Sequence, residues 1–282
     1  MQVKFSLNFL QNLYNNKFNK RVAFLSSSFF YLVSIYYFIL IDFENVNGLL
    51  FKAVTLATAN VFIFFLVIFS ATLDFRKLIF QMVVPLSYVF ASFLLMYFFP
   101  NLIFLFKLSF VLFSFFIYYF LLLSFNVFFV VSKKGGVIPL LRPARSVFLL
   151  IQLLSTFFLF TIIYKIVLPE PLTEATFLLQ TTIVFVLTYA FANSYWWSQN
   201  LEDEVISFIG NESAVVAFLC SFVSIALSFY PTESFFRSLG VSVTYYICIN
   251  FFQSIVTHKF FTRQLVEYLL LGLLALFFIL FV

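Results

Sequence analysis

Three acids in succession, Glu202, Asp203 and Glu204, follow the pair Trp196–Trp197 in "ANSYWWSQNLEDEV", residues 192–205. Clustered carboxylates are the raw material of metal sites and of general acid–base pairs. Successive residues on a helix point about 100° apart, so three in a row do not converge on one ion. No His or Cys stands beside them to complete a transition-metal site. The stretch "NLEDEVISFIG" reads instead as a short amphipathic helix on the inner membrane surface. Asn200 caps it, and Glu202 and Asp203 fill the first turn, where the helix dipole favours acids. Leu201, Val205, Phe208 and Ile209 line one side, and Gly210 supplies the stop. The three acids then face water, where they are candidates for docking a basic partner or for pairing with Arg142 and Arg145. The two indoles are expected at the lipid–water interface, which such rings prefer.

The opposite charge gathers in "SKKGGVIPLLRPARS", residues 132–146. Gly135, Gly136, Pro139 and Pro143 break regular structure there. Lys133, Lys134, Arg142 and Arg145 are candidates for lipid headgroups, because juxtamembrane basic clusters attract anionic lipid. The glycine pair lacks the spacing of a phosphate-cradling loop. His258 is the single histidine and reads as an interface residue. Asp42 and Glu44 follow the first apolar run. In type and position they resemble the acidic site that membrane glycosyltransferases with lipid-linked donors keep in their first outer loop. The resemblance covers those two residues only and implies a transferase. The outer loops here are shorter than in such enzymes.

Within the apolar runs, Asn60 is read as the most central strongly polar residue, in "KAVTLATANVF". It shares a helix side with Ala53 and Ala57, a pattern that suits a tight helix contact fixed by a hydrogen bond, or a substrate contact. Asn250 and Gln253 form a second polar pair. Lys52, Lys107, Lys165, Arg237 and Glu267 lie near enough to run ends to snorkel. Cys220 and Cys248 both fall inside apolar runs, which argues against a disulfide framework. No residue set calls for a metal or a cofactor.

These residues must be positioned by helices in lipid. Of 282 residues, 64% are hydrophobic and 10% charged, against about 45–50% and 25% in soluble domains. Apolar runs of the length that spans a bilayer recur along the whole chain. They predict about nine spans, eight to ten, near 22–41, 49–70, 78–99, 102–131, 147–168, 176–197, 213–230, 235–256 and 264–282. The fourth is too long to stand upright and must tilt, kink or run out along the surface. The seventh and eighth suit either two spans or a re-entrant hairpin. With the N-terminus in the cytoplasm, twelve of the sixteen Lys and Arg fall on inner segments. The outer four are Lys52, Lys107, Lys165 and Arg237, so the positive-inside rule selects this orientation. Residues 3–19 divide into an Asn/Lys face and a Leu/Tyr/Phe face, as in an amphipathic surface helix.

The expected fold is therefore all-α: a polytopic transmembrane bundle over 22–282, forming a single domain, with a surface helix over 1–21. The expected partners are the lipid bilayer and other membrane subunits. The net charge of +5 is accounted for by topology and calls for no nucleic acid. The expected location is the plasma membrane. The leading function is a transporter- or permease-like component without an ion-coupling site. The alternatives are a non-catalytic scaffold or assembly subunit and, after it, a transferase acting on a lipid-linked substrate.

Overall fold

An apolar chain in lipid must satisfy its backbone groups internally, which leaves helices as the economical answer for these segments. The computed structural model describes residues 17–40, 46–68, 75–98, 103–134, 139–167, 174–201, 206–229, 233–257 and 262–281. Among them it forms nine helices: α1 (Lys17–Leu40), α2 (Val46–Ile68), α3 (Phe75–Phe98), α4 (Phe104–Lys134), α5 (Leu141–Val167), α6 (Glu174–Gln199), α7 (Ile206–Ser228), α8 (Ser234–Val256) and α9 (Thr262–Phe281). Each predicted segment falls on one of them. Six of the nine, α1 and α4 to α8, are long and apolar enough to cross a membrane, judged by length and composition. The described apolar stretches of α2, α3 and α9 are shorter: Leu50–Phe65, Phe80–Leu95 and Leu265–Ile279. The surface helix expected over 1–21 lies mostly outside the described residues, as do Asp42, Glu44, His258, Glu202, Asp203 and Glu204.

Serine and threonine are accommodated inside these helices by bonding back to their own turns. Ser28 donates to Phe24 O at 2.9 Å, Ser34 to Phe30 O at 2.8 Å and Thr181 to Phe177 O at 2.9 Å. Hydroxyls that would be unsatisfied in lipid thus become neutral passengers. Outward faces are strongly apolar: Phe29, Phe51, Phe62 and Phe104 are 61–71% exposed. In water such surface would drive aggregation; in lipid it meets its own kind. The molecule is a helical membrane bundle.

The internal contacts divide the chain into two compact units, Met1–Ile151 and Gln152–Val282. In the first, α1 packs against α2, α3 and α4. Its centre is aromatic. Tyr31 and Tyr118 stack at 4.5 Å, and Phe64 meets Tyr118 and Phe125 edge-on at 5.8 and 5.2 Å. In the second, α6 packs on α7, α7 on α8, and α8 on α9. Gly240 of α8 makes the closest approach. A Cβ built there would stand 2.8 Å from Leu227 Cδ1 and 2.9 Å from Ile279 Cδ1.

Several local expectations need correction. Gly210 does not end a helix; α7 runs through it from Ile206. A helical glycine costs only about 1 kcal/mol relative to alanine, less than the several kcal/mol of exposing backbone groups to hydrocarbon. Residues 206–209 are therefore the first turn of α7, not part of a separate surface helix. Asn200 closes the last turn of α6, its N–H donating to Trp196 O at 3.0 Å. Trp196 is packed against protein, not turned to lipid. It is 2% exposed, on a stretch of α6 from Phe191 to Trp196 that is buried on every side. Pro143 does not break structure; it sits in the first turn of α5, where a missing N–H leaves no intrahelical bond unmade. Lys133 and Lys134 are the last residues of α4, so the basic loop is shorter than its sequence suggests. α7 and α8, each 23 residues long, are both long and apolar enough to cross a membrane, judged by length and composition.

Candidate functional site: a neutral polar line through the C-terminal unit

The polar side chains of the C-terminal unit pair across helices, and those pairs reveal its internal order. Tyr164 of α5 and Ser224 of α7 exchange a hydrogen bond of 2.7 Å. Gln180 of α6 reaches Ser224 and Ser228 at 3.2 and 3.1 Å. Thr161 of α5 bonds Ser238 of α8 at 2.6 Å. Gln152 of α5 donates to Phe191 O of α6 and to Tyr245 Oη of α8, the latter at 2.9 Å. Tyr195 of α6 donates to Gln253 Oε1 of α8. Partner numbers fall along α5 as they rise along α8, so those helices are antiparallel. They rise together on α6 and α8, so those two are parallel. Within this unit the helices alternate in direction.

These pairs form a line, not a patch. Ser238 to Gln253 on α8 spans about 22 Å of helix axis at 1.5 Å per residue, most of a hydrocarbon core about 30 Å thick. Every side chain in the line is uncharged. Gln152, Gln180, Tyr164, Tyr245 and Ser224 are all at most 2% exposed and Gln253 is half-buried, so the line is occluded except at its Gln253 end.

Two glutamine orientations are fixed by chemistry. A backbone carbonyl only accepts, so the Gln152 amide nitrogen must face Phe191 O. Ser228 Oγ donates its proton to Ser224 O at 2.8 Å, so it accepts from Gln180 Nε2. Both amide nitrogens therefore have their two hydrogens engaged. Both amide oxygens, Gln152 Oε1 and Gln180 Oε1, accept no hydrogen bond from a described residue. Ser194 Oγ and Ser242 Oγ also lack a partner among the described residues, and the Trp196 Nε1–H donates to none of them. An unsatisfied buried polar atom costs about 1–3 kcal/mol, and several on one line point to a use beyond packing.

Asn60, in the N-terminal unit, belongs to a different arrangement. It is fully buried beside Ala53 and Ala57, and its Nδ2 bonds back to Leu56 O at 2.8 Å. Its backbone oxygen, not its side chain, receives Tyr118 Oη at 3.2 Å. Tyr31 bonds Ser92 at 2.7 Å, and Tyr88 donates to Ser114 O at 3.3 Å. The three phenols thus lock α1 to α3, α3 to α4 and α4 to α2. Asn60→Leu should leave thermal stability within about 1 kcal/mol of the parent, because a buried carbonyl without a partner is removed. Tyr118→Phe should cost about 1 kcal/mol. Melting curves in detergent check both, and a loss above about 3 kcal/mol for Asn60→Leu would contradict the packing role.

Of the remaining sequence candidates, Gln253 joins the line through Tyr195. Asn250 is half-buried and bonds Tyr246 O of its own helix at 2.8 Å. Arg142 is exposed and Arg145 half-buried at the start of α5. Cys220 and Cys248 are free thiols on α7 and α8. Among the described residues no group of three or more His, Cys, Asp or Glu could hold a metal. Gln152 and Gln180 do not stand out in the sequence, because each lies near the charged start of its apolar run. α5 starts at Leu141, which makes Gln152 the twelfth of its 27 residues. A lone glutamine in "FLLIQLLSTFF" was the available signal. No protein-family model, curated protein or solved structure matches the chain.

Proposed function

We propose that the protein is a transporter- or permease-like component of the plasma membrane, with all nine helices crossing and the N-terminus cytoplasmic. The cargo is uncharged and passes along the polar line of the C-terminal unit. The observation that carries this reading is the run of buried neutral donors and acceptors, with open amide oxygens, over about 22 Å of α8. An inert bundle gains nothing from it, since apolar residues of similar volume would pack without the desolvation penalty. Occlusion of its middle, from Gln152 and Tyr245 to Gln180 and Ser224, fits a carrier between two open forms, reached by helix movement. The orientation rests on the twelve-to-four division of basic residues.

The test is solute entry into proteoliposomes, followed by stopped-flow light scattering after mixing with glycerol or urea. The expected result is a rate above that of protein-free vesicles, abolished by prior heat denaturation. Equal rates with and without protein for both solutes would remove the reading and leave the assembly-subunit alternative.

A further inference from the structure

We propose that Gln152 and Tyr245 form a selectivity station that takes a hydroxyl group, making the cargo an uncharged hydroxylated solute. The inference rests on the permease reading and adds the substrate class. The Gln152 amide oxygen and nitrogen are about 2.3 Å apart by covalent geometry, and Tyr245 Oη lies 2.9 Å from that nitrogen. Gln152 Oε1 and Tyr245 Oη therefore stand at most about 5.2 Å from each other. One oxygen with ordinary O–H···O distances of about 2.7–2.8 Å reaches both. Tyr245 Oη accepts from Gln152, its one side-chain hydrogen-bond partner among the described residues, so its own proton is left to give. The station thus offers one acceptor and one donor to the same point, which is the pattern of a hydroxyl.

Charged ligands fit poorly. An ammonium donates only and would leave the Tyr245 proton unpaired, with no carboxylate in the line to offset its desolvation. A carboxylate accepts only and would face the Gln152 carbonyl oxygen, and a phosphate would bring an unpaired charge into a line with no cation to offset its desolvation. The arrangement recurs about 18 Å along α5. There Gln180 has both amide hydrogens engaged and its oxygen open, and Tyr164 stands on the same serine, Ser224. Thr161 and Ser238 lie between the two. A hydroxylated solute would find a second open amide oxygen at Gln180.

The experiment compares glycerol and urea entry into proteoliposomes for the parent, Tyr245→Phe and Gln152→Met. Tyr245→Phe keeps the ring and removes the donor; Gln152→Met keeps the length and removes the amide. Both are compared by size-exclusion profile before reconstitution. The expected result is parent flux favouring glycerol, with glycerol entry reduced at least tenfold in each folded variant and the glycerol-to-urea ratio lowered. Unchanged glycerol entry in either folded variant would overturn the station while the path survives. Parent flux of urea without glycerol would overturn the hydroxyl class alone. Absence of flux for both solutes in the parent would overturn this inference together with the permease reading.

Discussion

Phe125→Ala is expected to destabilise the N-terminal unit by about 3–5 kcal/mol, the usual cost of removing a fully buried ring that its surroundings cannot refill. Phe125 is completely buried. It meets Phe64 edge-on at 5.2 Å and Phe148 edge-on at 5.7 Å, and so ties α2, α4 and the start of α5 together. Four rings, Phe64, Phe128, Phe129 and Phe148, lose a partner, and each aromatic pair adds about 0.5–1.5 kcal/mol beyond its buried area. The expected fall in melting temperature is on the order of 10 °C. Phe120→Ala on the same helix is the control. Phe120 is 48% exposed, its removal leaves no internal cavity, and the effect should stay below about 1 kcal/mol. Similar losses for the two variants would refute this assignment of the core.

Gly240→Val should cost about 2–3 kcal/mol in the C-terminal unit. The new Cβ alone would crowd Leu227 and Ile279 to under 3 Å. Valine adds two methyl groups held in one strongly preferred helical rotamer, so Leu227 and Ile279 must leave their rotamers or α8 must move from α7 or α9. Overpacking of this kind typically costs 1–3 kcal/mol. α8 also carries Ser238, Tyr245 and Gln253, so under the proposed permease reading solute flux should fall with stability. Gly272→Ala provides the opposite sign. A Cβ there meets only Ile247 Cδ1, at an ordinary 3.8 Å, so the gain in helix propensity, up to about 1 kcal/mol, should survive. Stabilisation by both substitutions would mean that α8 does not approach its neighbours as described.

The helices were legible because hydropathy is a one-dimensional property: each apolar run in the sequence coincides with a helix. Their ends were less legible. Pro143, Arg142 and Arg145 looked like loop, yet a proline in the first helical turn loses no bond, and long basic side chains tolerate an interfacial turn. Gly210 looked like a stop, yet a single glycine is a weak break in a medium that penalises open backbone. Trp196 looked interfacial from its distance to the charges, and sequence distance does not report which way a side chain points. The polar line was the least legible feature. Serine, threonine and tyrosine are each unremarkable in a span, and only their pairing across α5 to α8 sets them apart. That pairing involves residues up to 93 positions apart, which no local pattern reveals. Asn60 drew attention by amide chemistry alone, while its side chain turns back on its own helix.

The length of α4 has a consequence of its own. Its apolar stretch, Phe104–Ser132, has 29 residues, about 44 Å of helix against a hydrocarbon layer of about 30 Å. The surplus must be absorbed by inclination or by a local swelling of the surrounding lipid, each at a fraction of a kcal/mol per ångström. Acyl-chain length thus becomes a thermodynamic variable conjugate to the angle of α4. Because Tyr118, Phe125 and Phe128 of α4 are wholly buried in the N-terminal unit, the same lipid variable bears on the packing of that core.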